Sequence, residues 1–151
     1  MDRIPINRIE LQMQSKGENV SFARIAIAAL ASQLDITLND LEEIKVATSE
    51  AVSNAIIHGY QNKTEYMVKV IGTLYEDELI LEIIDEGVGI ADIKQAMQPA
   101  FTSDPERMGL GFVFMQSFMD KVEVESKTNC GTKVILHKNI GSAGAAKKAV
   151  S

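Results

Sequence analysis

The chain has no tryptophan, three prolines, and only 5% aromatic residues in a length of 151. It has a single cysteine, Cys130, which excludes an internal disulfide framework and any CxxC metal or redox motif. Its two histidines, His58 and His137, stand far apart and lack zinc-ligand spacing. Positive charge is also short: fifteen Lys and Arg face twenty-one Asp and Glu, a net charge of −6. A chain that acidic has no basic footprint for nucleic acid or an anionic membrane. The longest apolar run, Ile25 to Ala31, is far shorter than a membrane span. Met1-Asp2-Arg3-Ile4-Pro5 has no apolar stretch behind a basic start, so a cytoplasmic location is expected.

The remainder is ordinary for one globular domain, with 46% hydrophobic and 24% charged residues. Ile9, Leu11 and Met13 alternate with polar residues and predict a first strand. Val20 to Leu34 is alanine-rich and apolar at helical spacing. Thr37 with Asp40 three residues on resembles a capping box, opening a second helix that runs to about His58 and stops at Gly59. Met67 to Leu74 and Leu79 to Ile84 predict a hairpin around Glu76-Asp77. A short helix from about Gly109 to Phe118 follows a glycine-bearing loop. Val122 to Ser126 and Lys133 to His137 form a second hairpin, turning at 128–131. The sum is an α+β fold, a two-layer α/β sandwich with a mixed sheet and helices on one face. Residues 1–139 form the domain, and the small-residue tail 140–151 is expected to be disordered.

Glu50, Asn54 and His58 recur every four residues on the second helix. Each such step drifts only about 40° around the axis, so the three share one stripe. A carboxylate beside a carboxamide suits a general base next to a magnesium ligand, but taken alone the stripe is better explained as the solvated polar face of an amphipathic helix. Asp85-Glu86-Gly87-Val88-Gly89 ends an apolar strand and offers a fixed acceptor beside backbone that a flat ring can approach; an ordinary tight turn is the alternative. Gly109-Leu110-Gly111 opens a helix, where free N–H groups and the macrodipole favour a phosphate, or simply marks a loop-to-helix junction. Thr132 starts the last strand. A hydrolytic triad of Ser49, His58 and Asp85 fails on spacing, since nine residues place Ser49 and His58 on opposite helix faces, about 13 Å apart along the axis.

Taken in order, these segments resemble the four nucleotide-binding boxes of the Bergerat (GHKL) ATP-binding fold. Glu50 and Asn54 match its helix box, Asp85, Gly87 and Gly89 its Asp-x-Gly-x-Gly box, and Gly109 and Gly111 the Gly-x-Gly after the lid. Within that superfamily, Ser21-Phe22-Ala23-Arg24, the run Ser49 to Tyr60 and Phe118-Met119-Asp120-Lys121-Val122 are similar to the anti-sigma F family of serine kinases from endospore-forming bacteria. The general-stress anti-sigma B kinases are a less similar sibling.

The resemblance implies ATP with Mg²⁺, ADP as product, and these roles. Glu50 is the catalytic base and Asn54 the Mg²⁺ ligand. Asp85 accepts from the adenine amino group, with Thr132 supporting that edge through water. Backbone N–H groups of Gly109, Leu110 and Gly111 cradle phosphates, Met97 to Met108 forms the lid, and Arg107 reaches the γ-phosphate. It implies a homodimer whose partners are a sporulation sigma factor, held inactive, and a STAS-type anti-anti-sigma protein, phosphorylated on serine. Arg24 is the partner-facing arginine. A nucleotide-gated binder that does not phosphorylate its partner is the alternative function. Val20 and Asp104 depart from the family pattern, which favours an acid and a lysine there.

Overall fold

The computed structural model describes residues 3–98 and 108–140. Strand β1 (Asn7–Gln14) is followed by helices α1 (Val20–Ala31) and α2 (Leu38–Asn54). The hairpin β2 (Met67–Leu74) and β3 (Glu78–Asp85) comes next, then the short helix α3 (Ile93–Ala96) and helix α4 (Met108–Phe118). Strands β4 (Lys121–Ser126) and β5 (Thr132–Asn139) close the fold. Ile140 continues it, fully buried, with its N–H donated to the Asp77 carbonyl at 2.9 Å. None of the described helices is long and apolar enough to cross a membrane.

The five strands lie in the order β1-β2-β3-β5-β4, and every neighbouring pair is antiparallel. The expected mixed sheet is therefore corrected to a purely antiparallel one. The reason lies in the connections. A crossover through one helix returns the chain in the same direction, but β1 reaches β2 through two helices and so reverses. β3 and β4 are linked through α4, yet β5 lies between them.

The helical layer is amphipathic in the expected sense. Ala23, Ile27, Leu30 and Ala31 of α1, and Ile44, Ala47, Ala51 and Val52 of α2, bury one stripe each. They meet Val70, Leu74, Leu79, Leu81, Ile83, Val134 and Leu136 from alternate positions of the sheet in one core. The start of α2 follows its cap: the Thr37 side chain accepts the Asp40 N–H at 3.0 Å. Helix α1 ends at Ala31, earlier than the apolar spacing suggested. Gln33 and Leu34 donate back to the carbonyls of Leu30 and Ala31 in tighter turns, and Leu34 still packs on the core. Helix α2 does not run unchanged to His58. Ala55–Gly59 is a π turn, in which the Tyr60 N–H bonds the Ala55 carbonyl at 2.9 Å.

One core-facing position of β5 carries a charge. Lys138 is 7% exposed, and its ammonium donates to the Phe118 carbonyl at the end of α4 (2.5 Å) and to Glu43 of α2 (3.0 Å). It thereby ties the last strand to two helices and supplies a cation at a helix C-terminus. Lys138→Ala should cost about 2–4 kcal/mol in urea unfolding, by stranding Glu43 and that carbonyl. Lys138→Met, which keeps the apolar stem, should lose less. An unchanged midpoint in both variants would show that the ion pair contributes nothing.

Candidate nucleotide-binding site

The site lies where the C-terminal end of β3 meets the end of α2 and the start of β5. Asp85 is the last residue of β3, paired across the ladder with Thr132, the first of β5. Both are buried, Asp85 at 6% exposure. The Asp85 carboxylate accepts the N–H of Gly87 at 2.9 Å and also the Thr132 N–H. It rests against the bare Cα of Gly59, where a Cβ would fall 2.7 Å from the carboxyl. The glycine expected only to stop the helix thus also makes room for the acid. Burial pushes the Asp85 carboxyl up to about 6, with the two N–H donors opposing the shift.

The turn after Asp85 is pinned on all sides. Val88 donates to the Gly59 carbonyl at 2.9 Å, and Asn129 donates to the Val88 carbonyl at 2.6 Å. Tyr60 accepts the Glu86 N–H at 2.8 Å and donates to the Met67 carbonyl at 2.6 Å. Gly89 has φ +75°, a conformation open to glycine, and its Cα lies against the Lys127 carbonyl. The resulting pocket is lined by Ala51, Asn54, Ala55, His58, Gly59, Ile83, Asp85, Gly89, Ile90, Phe112, Thr132 and Val134. It is a largely apolar slot whose polar groups are Asp85, Thr132, Asn54 and His58, suited to a flat heterocycle with an amino group.

A second cleft adjoins it, sharing Asn54 and His58, and is completed by Glu50, Ser53, Ile57, Leu110, Gly111 and Phe114. Glu50 and Asn54 reach together over the first turn of α4. A Cβ at Gly111 would sit 3.1 Å from Glu50 Oε2 and 3.2 Å from both Asn54 Oδ1 and Nδ2. Asn54 Nδ2 is buried with no hydrogen-bond partner, the only such side-chain atom among the described residues. A buried donor left unpaired is costly, so this nitrogen is a candidate to bond an acceptor such as a phosphate oxygen. Among the described residues no group of three or more His, Cys, Asp or Glu could hold a metal. A carboxamide oxygen in the wall of this cleft fits Mg²⁺, which takes few protein ligands and keeps water and phosphates for the rest.

The structure thus places Glu50, Asn54, Asp85, Gly89, Leu110, Gly111 and Thr132 in the walls of two joined clefts, with Gly87 in the turn bonded to Asp85 and Gly109 in the first turn of α4 beside Leu110. Arg107, Asp104 and most of the expected lid lie outside the described residues. Arg24 stands apart on α1, its guanidinium donating to Ser49 at 3.3 Å, with Phe22 and Ile25 exposed beside it. Val20 packs against the core. Tyr60 and Ser126 were not singled out from sequence; each acts through a hydroxyl bonding distant backbone, which no spacing rule reveals.

Comparison with known proteins agrees with this geometry. Residues 13–138 match the histidine kinase-like ATPase domain family. The anti-sigma F factor of Clostridium acetobutylicum is 49% identical over 134 residues, covering 87% of this chain and 93% of that one. The anti-sigma F factor of Geobacillus kaustophilus is 50% identical over 142 residues, covering 92% and 97%. Among solved structures, the RsbU and RsbW domains of a Mycobacterium tuberculosis protein superpose with TM-score 0.63 at 16% identity, over 91% of this chain and 34% of that one. The histidine kinase domain of a blue-light activated kinase from Erythrobacter litoralis gives 0.57 at 16% identity, over 85% and 63%. The chain belongs to the histidine kinase-like ATPase family and, within it, to the anti-sigma F factors.

The raised Asp85 carboxyl sets a stability prediction. A folded-state value near 6 against the ordinary 3.8 contributes stability that is fully present below about pH 4 and is lost as pH rises through about 6. At neutral pH the buried charge therefore costs on the order of 3 kcal/mol. Asp85→Asn should raise the unfolding free energy at pH 8 by about 1–3 kcal/mol, part of the gain being lost to the unpaired carboxamide N–H₂. The gain should vanish at about pH 4. Urea unfolding at the two pH values checks both the sign and the window.

Proposed function

We propose that this protein is a cytoplasmic, Mg-ATP-dependent anti-sigma factor that holds a sporulation sigma factor inactive and phosphorylates a serine of a STAS-type anti-anti-sigma protein. The observation that carries the kinase part is Glu50 beside Asn54 over Gly111, a base and an oxygen donor at the opening turn of α4. The names of the anti-sigma F relatives support the sigma partner.

In this reading adenine enters the apolar slot and its amino group donates to Asp85. The phosphates extend into the adjoining cleft, toward the N–H groups of Gly109, Leu110 and Gly111 at the helix N-terminus. Arg107 adds a cation there. Asn54 would hold Mg²⁺, which neutralises charge on the β- and γ-phosphates. The partner serine hydroxyl approaches Glu50, whose carboxylate takes the proton as the serine oxygen bonds to the γ-phosphorus. The bond from that phosphorus to the bridging oxygen breaks, and ADP leaves with the electron pair. Arg24, with exposed Phe22 and Ile25, faces the partner. The protein acts as a homodimer, and the edge of β1 not paired with β2 is available for a second copy.

Transfer of labelled γ-phosphate to a STAS protein from the same organism tests the reading. Glu50→Gln should slow transfer about a hundredfold or more while ATP affinity stays at the wild-type level. Transfer at the wild-type rate would remove Glu50 as the base, and no transfer by wild type, with sigma still held, would leave a nucleotide-gated binder. ATP affinity should also weaken as pH falls below about 6, because protonation removes the Asp85 charge that favours the amino donor and turns one acceptor oxygen into a donor. Titrations between about pH 5 and 8 would show the decline, and Asp85→Asn should flatten it.

A further inference from the structure

Ser126, the last residue of β4, lies outside the lining of the apolar slot yet touches two groups that form it. Its hydroxyl accepts the N–H of Ile90 at 2.8 Å and donates to the Gly131 carbonyl at 2.8 Å. A third contact, also 2.8 Å, joins it to the Thr132 hydroxyl. A serine hydroxyl has one proton. The carbonyl can only accept, so the proton of Ser126 is used there, and the bond to Thr132 is one in which Thr132 donates. Thr132 lines the slot, and its oxygen then has only lone pairs left to offer there. Ionised Asp85 beside it is also acceptor-only. An edge made of two acceptors suits the exocyclic amino group of adenine and repels the carbonyl oxygen that guanine carries at the same position.

We propose that Ser126 is a positioning residue that fixes the Thr132 hydroxyl as an acceptor and thereby sets the preference for adenine over guanine nucleotides. The proposal rests on the nucleotide reading of the site. Without the Ser126 oxygen, Thr132 is free to turn its proton into the slot and bond a guanine carbonyl. The Ile90 N–H also loses its acceptor, so the loop carrying Gly87 and Gly89 is held less firmly.

The test is the ratio of ATP to GTP affinity, measured calorimetrically on the full chain with Mg²⁺. Ser126→Ala should narrow that ratio about tenfold, the effect of one hydrogen bond reversed in sense. Ser126→Thr, which keeps the hydroxyl, should restore the wild-type ratio. In a Thr132→Val background, Ser126→Ala should leave the ratio unchanged, because Ser126 acts through Thr132. A purely structural role would weaken both nucleotides alike, so an unchanged ratio in Ser126→Ala overturns the proposal, as does a ratio that still shifts in the Thr132→Val background. Should Ser126→Ala not fold, Ser126→Cys, a poor donor and acceptor, is judged by the same ratio. A wild-type protein that binds neither nucleotide would instead overturn the nucleotide reading itself, whereas selective ATP binding with an unaltered Ser126→Ala ratio removes only the role of Ser126.

Discussion

A carboxylate buried at the end of a strand is the constraint around which this molecule is arranged. Asp85 loses most of its hydration, and a lone buried charge is tolerated only with compensating donors. Those donors come from backbone: Gly87 two residues on, and Thr132 across the ladder. The carboxyl fits because Gly59 has no side chain, and the turn that returns the Gly87 N–H is held by the Gly59 carbonyl through Val88. The end of α2, the turn after β3 and the start of β5 are thus fixed by one acid. Tyr60 extends the same logic by accepting the Glu86 N–H while its own proton goes to the Met67 carbonyl. Burial raises the Tyr60 phenol as well, so it remains a neutral donor.

The cleft beside α4 is built differently. Around Asp85 nearly every polar group has found a partner, which gives a rigid frame for recognition. At Glu50 and Asn54 the polar atoms converge on a glycine and one amide nitrogen is buried unpaired. Side chains poised in that way are stable only because the surrounding helix is locked, here by Ala47, Ala51 and Val52 in the core and by Lys138 holding Glu43, about two turns before Glu50. Stability is concentrated at the base of α2, and unsatisfied chemistry at its far end.

Much of this was legible in the sequence, for identifiable physical reasons. Strand alternation at Ile9, Leu11 and Met13, the Thr37 cap, and the hairpin turns at Glu76-Asp77 and 128–131 are local signals, and the local structure follows them. The candidate residues came together because Glu50 and Asn54 share a helix stripe and Asp85 ends a strand that pairs with Thr132. What was not legible is non-local. Strand direction depends on how many helices each crossover contains and where β5 inserts, so a mixed sheet was expected and an antiparallel one is found. The π turn at Ala55–Gly59 leaves no mark in apolar spacing. Lys138 reads as a surface charge until β5 is placed with that position facing α2.

The two clefts also differ in what a ligand would change. In the slot, an amino group would replace water at acceptors whose orientation is already set, so binding there selects by chemistry and costs little ordering. At Glu50 and Asn54 a ligand would supply partners the free protein lacks, so binding there alters the balance of the site itself. Asn54 and His58 belong to the walls of both clefts, which makes the last two turns before Tyr60 the physical link between them. Helix α2, which carries Glu50 and Asn54, runs on through the π turn to Gly59, the glycine that accommodates the acid, so both clefts rest on one continuous segment.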